Sequence, residues 1–309
     1  MSGHADNSGF PPNVSLVNHL SHAGLLPSHI YLGSSFFVLG AWWLTAVLRK
    51  QYHRGSKTEC CLSYSGNCGS CSSKMVEGMI KLIFCIVGCV IEGITITALG
   101  RAKNYTYETV YASFMLAALV DIFQGLRVVL PEGIDYLTHA VAFANLAILS
   151  RSQSWGHLHL TVSTRMLTSY IAMFATLVLL MELYKPKSQI LKFIRTGTVM
   201  LQGVWFWQSG IVLDSPFAER WAEEDHANLM FITIAFSWNM CGVVLFHVFY
   251  AAIMEKIFGR SDLEGSRSRY LENKANTVKE SIDPESINDY KPLQQNDTSV
   301  DLSDSMEQT

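Results

Sequence analysis

Seven stretches of this chain are predicted to cross a lipid bilayer as helices, which leaves few folds open to it. A helix rises about 1.5 Å per residue, so about 20 mostly apolar residues cover the hydrocarbon core. The stretches run from Ile30 to Leu48, Met75 to Leu99, Tyr107 to Leu130, Ile134 to Leu149, Leu160 to Leu183, Ile190 to Leu213 and Asn228 to Ile257. Spanning strands are excluded by length, being about 9–11 residues with alternating polarity. The expected fold is therefore all-α, a polytopic bundle of about seven transmembrane helices. The fourth stretch is the weakest, being short and carrying His139 and Asn145.

Charge usage agrees with a membrane protein. Charged residues make up 16% of the chain, against roughly 25% in an average soluble domain. From Gly259 onward six Lys or Arg stand against eleven Asp or Glu, so the end of the chain is acidic. Three regions follow: an exposed segment 1–29, a helical domain 30–257, and a disordered acidic cytosolic tail 258–309. No basic patch interleaved with aromatics appears, so no nucleic-acid partner is indicated. No Lys or Arg and no long apolar run precede His29. The first helix, rather than a cleaved signal peptide, is expected to direct insertion.

Loop charges set an expected direction. The loop after the first stretch holds Arg49, Lys50, Arg54, Lys57 and Lys74, and Lys185 and Lys187 precede the sixth. The opposite side shows only Arg101, Lys103, Arg151 and Arg220, which predicts the N-terminus outside and the tail inside. The glycosylation sequons at Asn13 and Asn104 fall on the expected outside, whereas Asn296 falls in the tail. In the tail, Tyr290 and Leu293 match a tyrosine-x-x-bulky sorting pattern that trafficking adaptors read, and Ser299, Ser303 and Ser305 sit beside acids.

Ionisable groups within spanning helices are costly, so each needs a partner or a function. Glu77 and Lys81 are four apart and pair on one helical face, with Glu92 on nearly the same stripe three turns on. Asp121, Arg195, Gln202, Gln208 and Asn228 complete a candidate intramembrane polar cluster, and Arg195, Gln202 and Ser209 share one face. Arg127, Arg165, Glu182 and Arg195 lie near helix ends, where snorkelling to the interface suffices. Cys85, Gly88 and Cys89 fill the Glu77 stripe as small packing positions rather than metal ligands. Cys60 and Cys61 in the first cytosolic loop are candidates for acylation, and with Cys68 and Cys71 they do not make a standard zinc spacing. His157 and His159 form an H-x-H pair for which the sequence supplies no third ligand, so neither a metal nor a cofactor is expected.

Trp205, Phe206 and Trp207 are consecutive, so their rings diverge and at least one faces another helix. The block Arg195-Thr196, Leu201-Gln202-Gly203, Trp205-Phe206-Trp207-Gln208, Gly210, Asp225 and Ala227-Asn228-Leu229-Met230-Phe231 resembles the transmembrane protein 45 family. That family includes the transmembrane epididymal proteins. Weaker echoes run through Glu77, Lys81, Gly88 and Glu92, through Val120-Asp121, and through His29 with Gly33-Ser34-Ser35-Phe36-Phe37. The resemblance implies a multi-helix membrane fold and no established activity. Tyr107, Asn239 and Gln153-Ser154-Trp155 stand where the family's histidines would be expected, so no metal role is carried over.

The leading functional expectation is a non-enzymatic protein of the secretory or endosomal system or plasma membrane, acting through partners or trafficking. No nucleotide-binding glycine loop, nucleophile elbow or H-E-x-x-H is present. The alternative is an ion, proton or small-molecule transporter or channel using intramembrane carboxylates. A rhodopsin-type receptor is disfavoured, because the expected outer loops lack cysteine and neither an Asp-Arg-Tyr run nor Asn-Pro-x-x-Tyr is found.

Overall fold

A computed structural model describes residues 25–52, 71–98, 105–214, 221–222 and 224–281. Among these residues there are seven helices and no strand: α1 Leu25–Tyr52, α2 Cys71–Ala98, α3 Thr106–Gly125, α4 Ile134–Ser152, α5 His159–Tyr184, α6 Gln189–Asp214 and α7 His226–Ser281. Each runs antiparallel to its neighbour in sequence. In α2 and α3, for example, Gly88 meets Tyr111 while Gly78 meets Ile122. The closest pairs are α1 with α6, α2 with α3, and α4 with α5.

The surface is inverted relative to a water-soluble protein. On α2, Ile83, Ile86, Val90 and Ile94 recur at helical spacing and are exposed, while Glu77, Lys81 and Glu92 are buried. Such a distribution suits a lipid solvent, in which polar groups must be satisfied inside the bundle. The protein is thus an all-helical, multi-pass membrane protein. Five helices are long and apolar enough to cross by composition: α1, α2, α3, α5 and α7. The other two expected crossings, α4 and α6, fall short. Their polar residues explain why: Asp135 and His139 on α4, and Lys192, Arg195 and Gln202 on α6, are all buried between helices.

Several boundaries differ from expectation. Ser28 and His29, expected in an exposed segment ending at 29, are instead buried in the first turns of α1. The third helix stops at Gly125, not Leu130, since Arg127 adopts a positive φ of 62°. Leu130 precedes Pro131, a position that disfavours helix. Residues 260–281 are helical where a disordered tail was expected, and they belong to a separate unit, Arg260–Thr309. That stretch is rich in Arg, Glu, Lys and Leu, which are strong helix formers, and has no proline before Pro284.

The α1–α6 seam depends on glycine. A Cβ on Gly203 would sit 2.6 Å from the Gly33 carbonyl oxygen and 2.7 Å from the Phe37 nitrogen, so backbone meets backbone. Small residues at such contacts let membrane helices approach closely. Just past this contact, Trp207 donates its indole N–H to Ser34 Oγ at 3.1 Å and to the Ile30 carbonyl at 3.2 Å. All three consecutive aromatics face other helices: Trp205 bonds Thr168 on α5, and Phe206 stacks on Phe36 of α1. Replacing Gly203 by Val is expected to cost about 1–3 kcal/mol through overpacking. It should lower the thermal unfolding midpoint in detergent, whereas Gly242→Ala, facing open space, should leave it nearly unchanged.

Candidate functional site

Four helices meet at Lys81. The i,i+4 spacing on α2 places its Nζ 2.6 Å from Glu77 Oε1, and α3 brings Asp121 Oδ2 to 2.8 Å. From α4, His139 Nε2 lies 3.2 Å away. The α1 indole of Trp43 donates its Nε1–H to Glu77 Oε1 at 2.7 Å. All five side chains are buried.

The proton on His139 follows from its neighbours. Nδ1 lies 2.8 Å from the Asp135 carbonyl, which can only accept. Nε2 faces an ammonium, which can only donate, so the imidazole is neutral. Glu77 and Asp121 thus both pair with the Lys81 ammonium, and Lys74, with its Nζ 3.9 Å from Asp135 Oδ2, adds a second cation close by. Asp121 Oδ1 is buried without a hydrogen-bond partner.

A second ion pair adjoins this group through the same tryptophan. Arg195 Nε of α6 lies 2.9 Å from Glu182 Oε2 of α5. The Arg195 Cζ stands 4.4 Å from the Trp43 ring centroid, and Lys81 Nζ stands 5.0 Å from it. A desolvated cation over an indole face gains cation–π attraction on top of its ion pair. Glu182 and Arg195 do not snorkel, as their place near helix ends suggested. Both are buried, at 0% and 2% exposure, because each supplies the counter-charge the other needs.

Of the expected cluster, Glu77, Lys81, Asp121 and Arg195 come together. Glu92 is buried three turns further along α2, toward the His29 end of the bundle, with Tyr111 and Cys89 in its electrostatic range. Gln202 is fully buried on α6, and neither side-chain polar atom has a hydrogen-bond partner. Gln208 is half-buried, and Asn228 donates to the Ala222 carbonyl at the start of α7. Asn13, Asn104, Cys60, Cys61, Tyr290 and Leu293 lie outside the described residues. His157 and His159 are exposed, and among the described residues no group of three potential ligands is placed to hold a metal.

Sequence reasoning missed Trp43 as the bridge and treated His139 only as a weakness of the fourth helix. A detectable signal for His139 was its spacing of four from Asp135, on a face otherwise made of alanine and phenylalanine.

Two cavities flank the centre of the bundle. One of about 300 Å³ lies among α1, α2 and α3, and Phe36, Phe114, Glu77 and Lys81 line it. The other, about 30 Å³, lies at the His29 end among Tyr107, Gln153, Arg165, Phe206 and Ser209, with room for roughly one water. Between them Phe36 stacks on Phe206, with centroids 5.9 Å apart and planes at 9°, and meets Phe114 edge-on at 5.2 Å. An aromatic layer thus separates a small polar cavity from the charged one.

Residues 132–252, from just before α4 into α7, match the family described as a family of unknown function, DUF716. Over 177 residues the chain is 24% identical to transmembrane epididymal protein 1 of Homo sapiens, covering 54% of this chain and 64% of that protein. With transmembrane epididymal protein 1A of Mus musculus it shares 25% identity over 179 residues, covering 54% and 57%. The resemblance read from α6 and α7 holds. Over that stretch the chain is similar to the transmembrane epididymal proteins. It spans less than two thirds of the length of either relative.

Removing one member of a buried ion pair strands the other, at a cost of about 3–5 kcal/mol. Glu182→Gln should accordingly lower the detergent unfolding midpoint followed by tryptophan fluorescence. The double variant Glu182→Leu with Arg195→Met should recover most of that loss. Equal stability of Glu182→Gln and the parent would show that the pair does not hold α5 to α6.

Proposed function

We propose that this protein is a non-enzymatic, seven-crossing membrane protein that binds and passes a proton or a cationic solute through the bundle. The supporting observation is that Glu77, Lys81, Asp121 and His139 meet inside the bundle, with both carboxylates paired to the Lys81 ammonium beside a neutral imidazole. Buried negative charge in a low-dielectric surrounding is stabilised by taking up a cation. The meeting of these groups from three helices, with Glu92 and Gln202 lying elsewhere, is our ground for placing binding or transport ahead of structural scaffolding, the reverse of the order read from the sequence. The aromatic layer of Phe36, Phe114 and Phe206 suits a closed barrier on such a path. The non-enzymatic part rests on the hydroxyl–imidazole contact of Thr196 Oγ1 with His247 Nε2, at 3.1 Å, being an enclosed tie between α6 and α7. Thr196 is 0% exposed, and of the pair only His247 lines the neighbouring crevice.

The seven crossings are supported by depth. α6 lies against α1 from Gly210 beside His29 to Thr196 beside Gly40. α4 lies against α5 from Leu183 beside Gly133 to Ser169 bonded to the Ala147 carbonyl. Helices in register with spanning helices over that length share their membrane depth, and their polar residues face protein rather than lipid. With the N-terminus outside, a glycosylation acceptor inserted after Gly156 should be modified, and one inserted after Pro186 should not. A five-crossing arrangement without α4 and α6 would leave the Gly156 site unmodified.

In proteoliposomes the protein should carry a proton or monovalent cation current above that of empty vesicles. Asp121→Asn and, separately, Glu77→Gln should each reduce that current at least tenfold, while α-helical circular dichroism is retained. A wild-type current equal to empty vesicles, or one untouched by both variants, would rule the reading out.

A further inference from the structure

Lys81 is paired with Glu77 and Asp121, Arg195 with Glu182, and Lys74 with Asp135. Arg165 on α5 differs. Its Nη1 donates to the Gln153 carbonyl at 2.9 Å and to Gln153 Oε1 at 3.0 Å, and both acceptors are neutral. Arg165 has no carboxylate partner among the described residues. A guanidinium also carries N–H donors on Nε and Nη2. Among the described residues, those have no acceptor.

Arg165 lines the cavity of about 30 Å³ at the His29 end, which α1, α3, α4, α5 and α6 enclose together. Among the described residues that line it there is no Asp, Glu or Lys. The acidic residues of that region face elsewhere. Glu92 is on α2, which contributes nothing to this cavity, and Glu108 on α3 is turned toward α2, where both act on Cys89. A second donor comes from α4: Ser150 lines the cavity, and its hydroxyl has no hydrogen-bond partner among the described residues. The hydroxyls of Thr168 and Ser209, by contrast, donate to backbone carbonyls of their own helices.

Size and charge together narrow the guest. The cavity has room for roughly one water. A single halide ion is of that order, whereas sulfate, phosphate or a carboxylate, with several heavy atoms each, is too large. An unpaired cation in a low-dielectric interior is stabilised by an anion. We infer that this cavity is a halide-binding site, with chloride held by the Arg165 guanidinium of α5 and the Ser150 hydroxyl of α4. It lies across the aromatic layer from Lys81, and it stands whether or not the Lys81 cluster carries a current.

The test heats the full chain in detergent in sodium chloride, bromide, sulfate or gluconate at constant ionic strength, and measures chloride nuclear magnetic resonance line width in parallel. A ligand bound only by the folded state stabilises it, so chloride and bromide should each raise the unfolding midpoint by about 2–4 °C over gluconate. Sulfate should match gluconate. Chloride line broadening should exceed that of detergent alone and be reversed by bromide. Arg165→Gln should weaken chloride binding about tenfold or more, through loss of a charge-assisted contact. Ser150→Val, which fills the cavity and leaves Arg165 in place, should do the same, so the test survives if Arg165→Gln does not fold. Asp121→Asn, across the aromatic layer, should keep the halide response. Equal midpoints in all four salts without excess broadening would mean that the cavity takes water only. A sulfate response as large as that of chloride would mean a general salt effect, and a halide response untouched by both cavity variants would put the ion elsewhere. Each of these three results overturns the inference. A halide response lost in both variants, from a protein that carries no current in proteoliposomes, upholds the site and removes the transport reading.

Discussion

The inner assembly of this bundle depends on the side chain of Trp43. Its ring takes Arg195 at 4.4 Å and Lys81 at 5.0 Å, and its N–H goes to Glu77 at 2.7 Å. Each of those groups carries a counter-charge or hydrogen-bond partner on another helix: Glu182 on α5, and Asp121 and His139 on α3 and α4. One indole therefore stands within reach of polar groups from five other helices. In water such pairs are worth little, but in a bilayer an uncompensated charge has no solvent to return to. Cooperative satisfaction of the whole group is the condition for burying any part of it.

That condition explains the division of labour among the helices. The outer ones, α2, α3, α5 and α7, present isoleucine, leucine and phenylalanine to lipid and keep polar residues for the interior. α4 and α6 are poorer in apolar residues because they have more protein around them. α6 is flanked by α1 through the Gly203–Gly33 approach and by α5 through Trp205 and Arg195. The low overall hydropathy of α6 thus goes with the burial of Lys192, Arg195 and Gln202 between its neighbours.

The sequence carried the helices and their order, since apolar length and breaks at Gly and Pro are local properties. It also carried Glu77 with Lys81, because i,i+4 spacing is local. It did not carry the meeting of α2 with α3, α4 and α6, because helical period says which face is polar but not which polar face it meets. Glu182 and Arg195 illustrate the difficulty. Near helix ends a long side chain has two solutions, snorkelling or pairing, and only the neighbouring helix decides between them. Trp43 sits beside Trp42 at the end of an apolar run, where aromatic residues commonly mark the membrane interface. Of the two, Trp43 is 1% exposed and Trp42 is 43% exposed, a difference that rotation of α1 against α6 sets.

The two ends of the bundle hold their polar groups differently. At the His29 end, Tyr107 contacts His29 at 3.1 Å, Arg165 bonds the carbonyl and side chain of Gln153, and the Glu92 carboxylate is buried on α2. At the Trp43 end, Glu77 and Asp121 both pair with the Lys81 ammonium, and Asp121 Oδ1 is buried without a hydrogen-bond partner. Replacing buried charges by apolar residues of similar volume is often neutral or stabilising, so stability alone is a weak reason for keeping such a network. Glu77 and Lys81 also line the cavity of about 300 Å³, so they are the charged members of the network that a solute entering from that side would meet first.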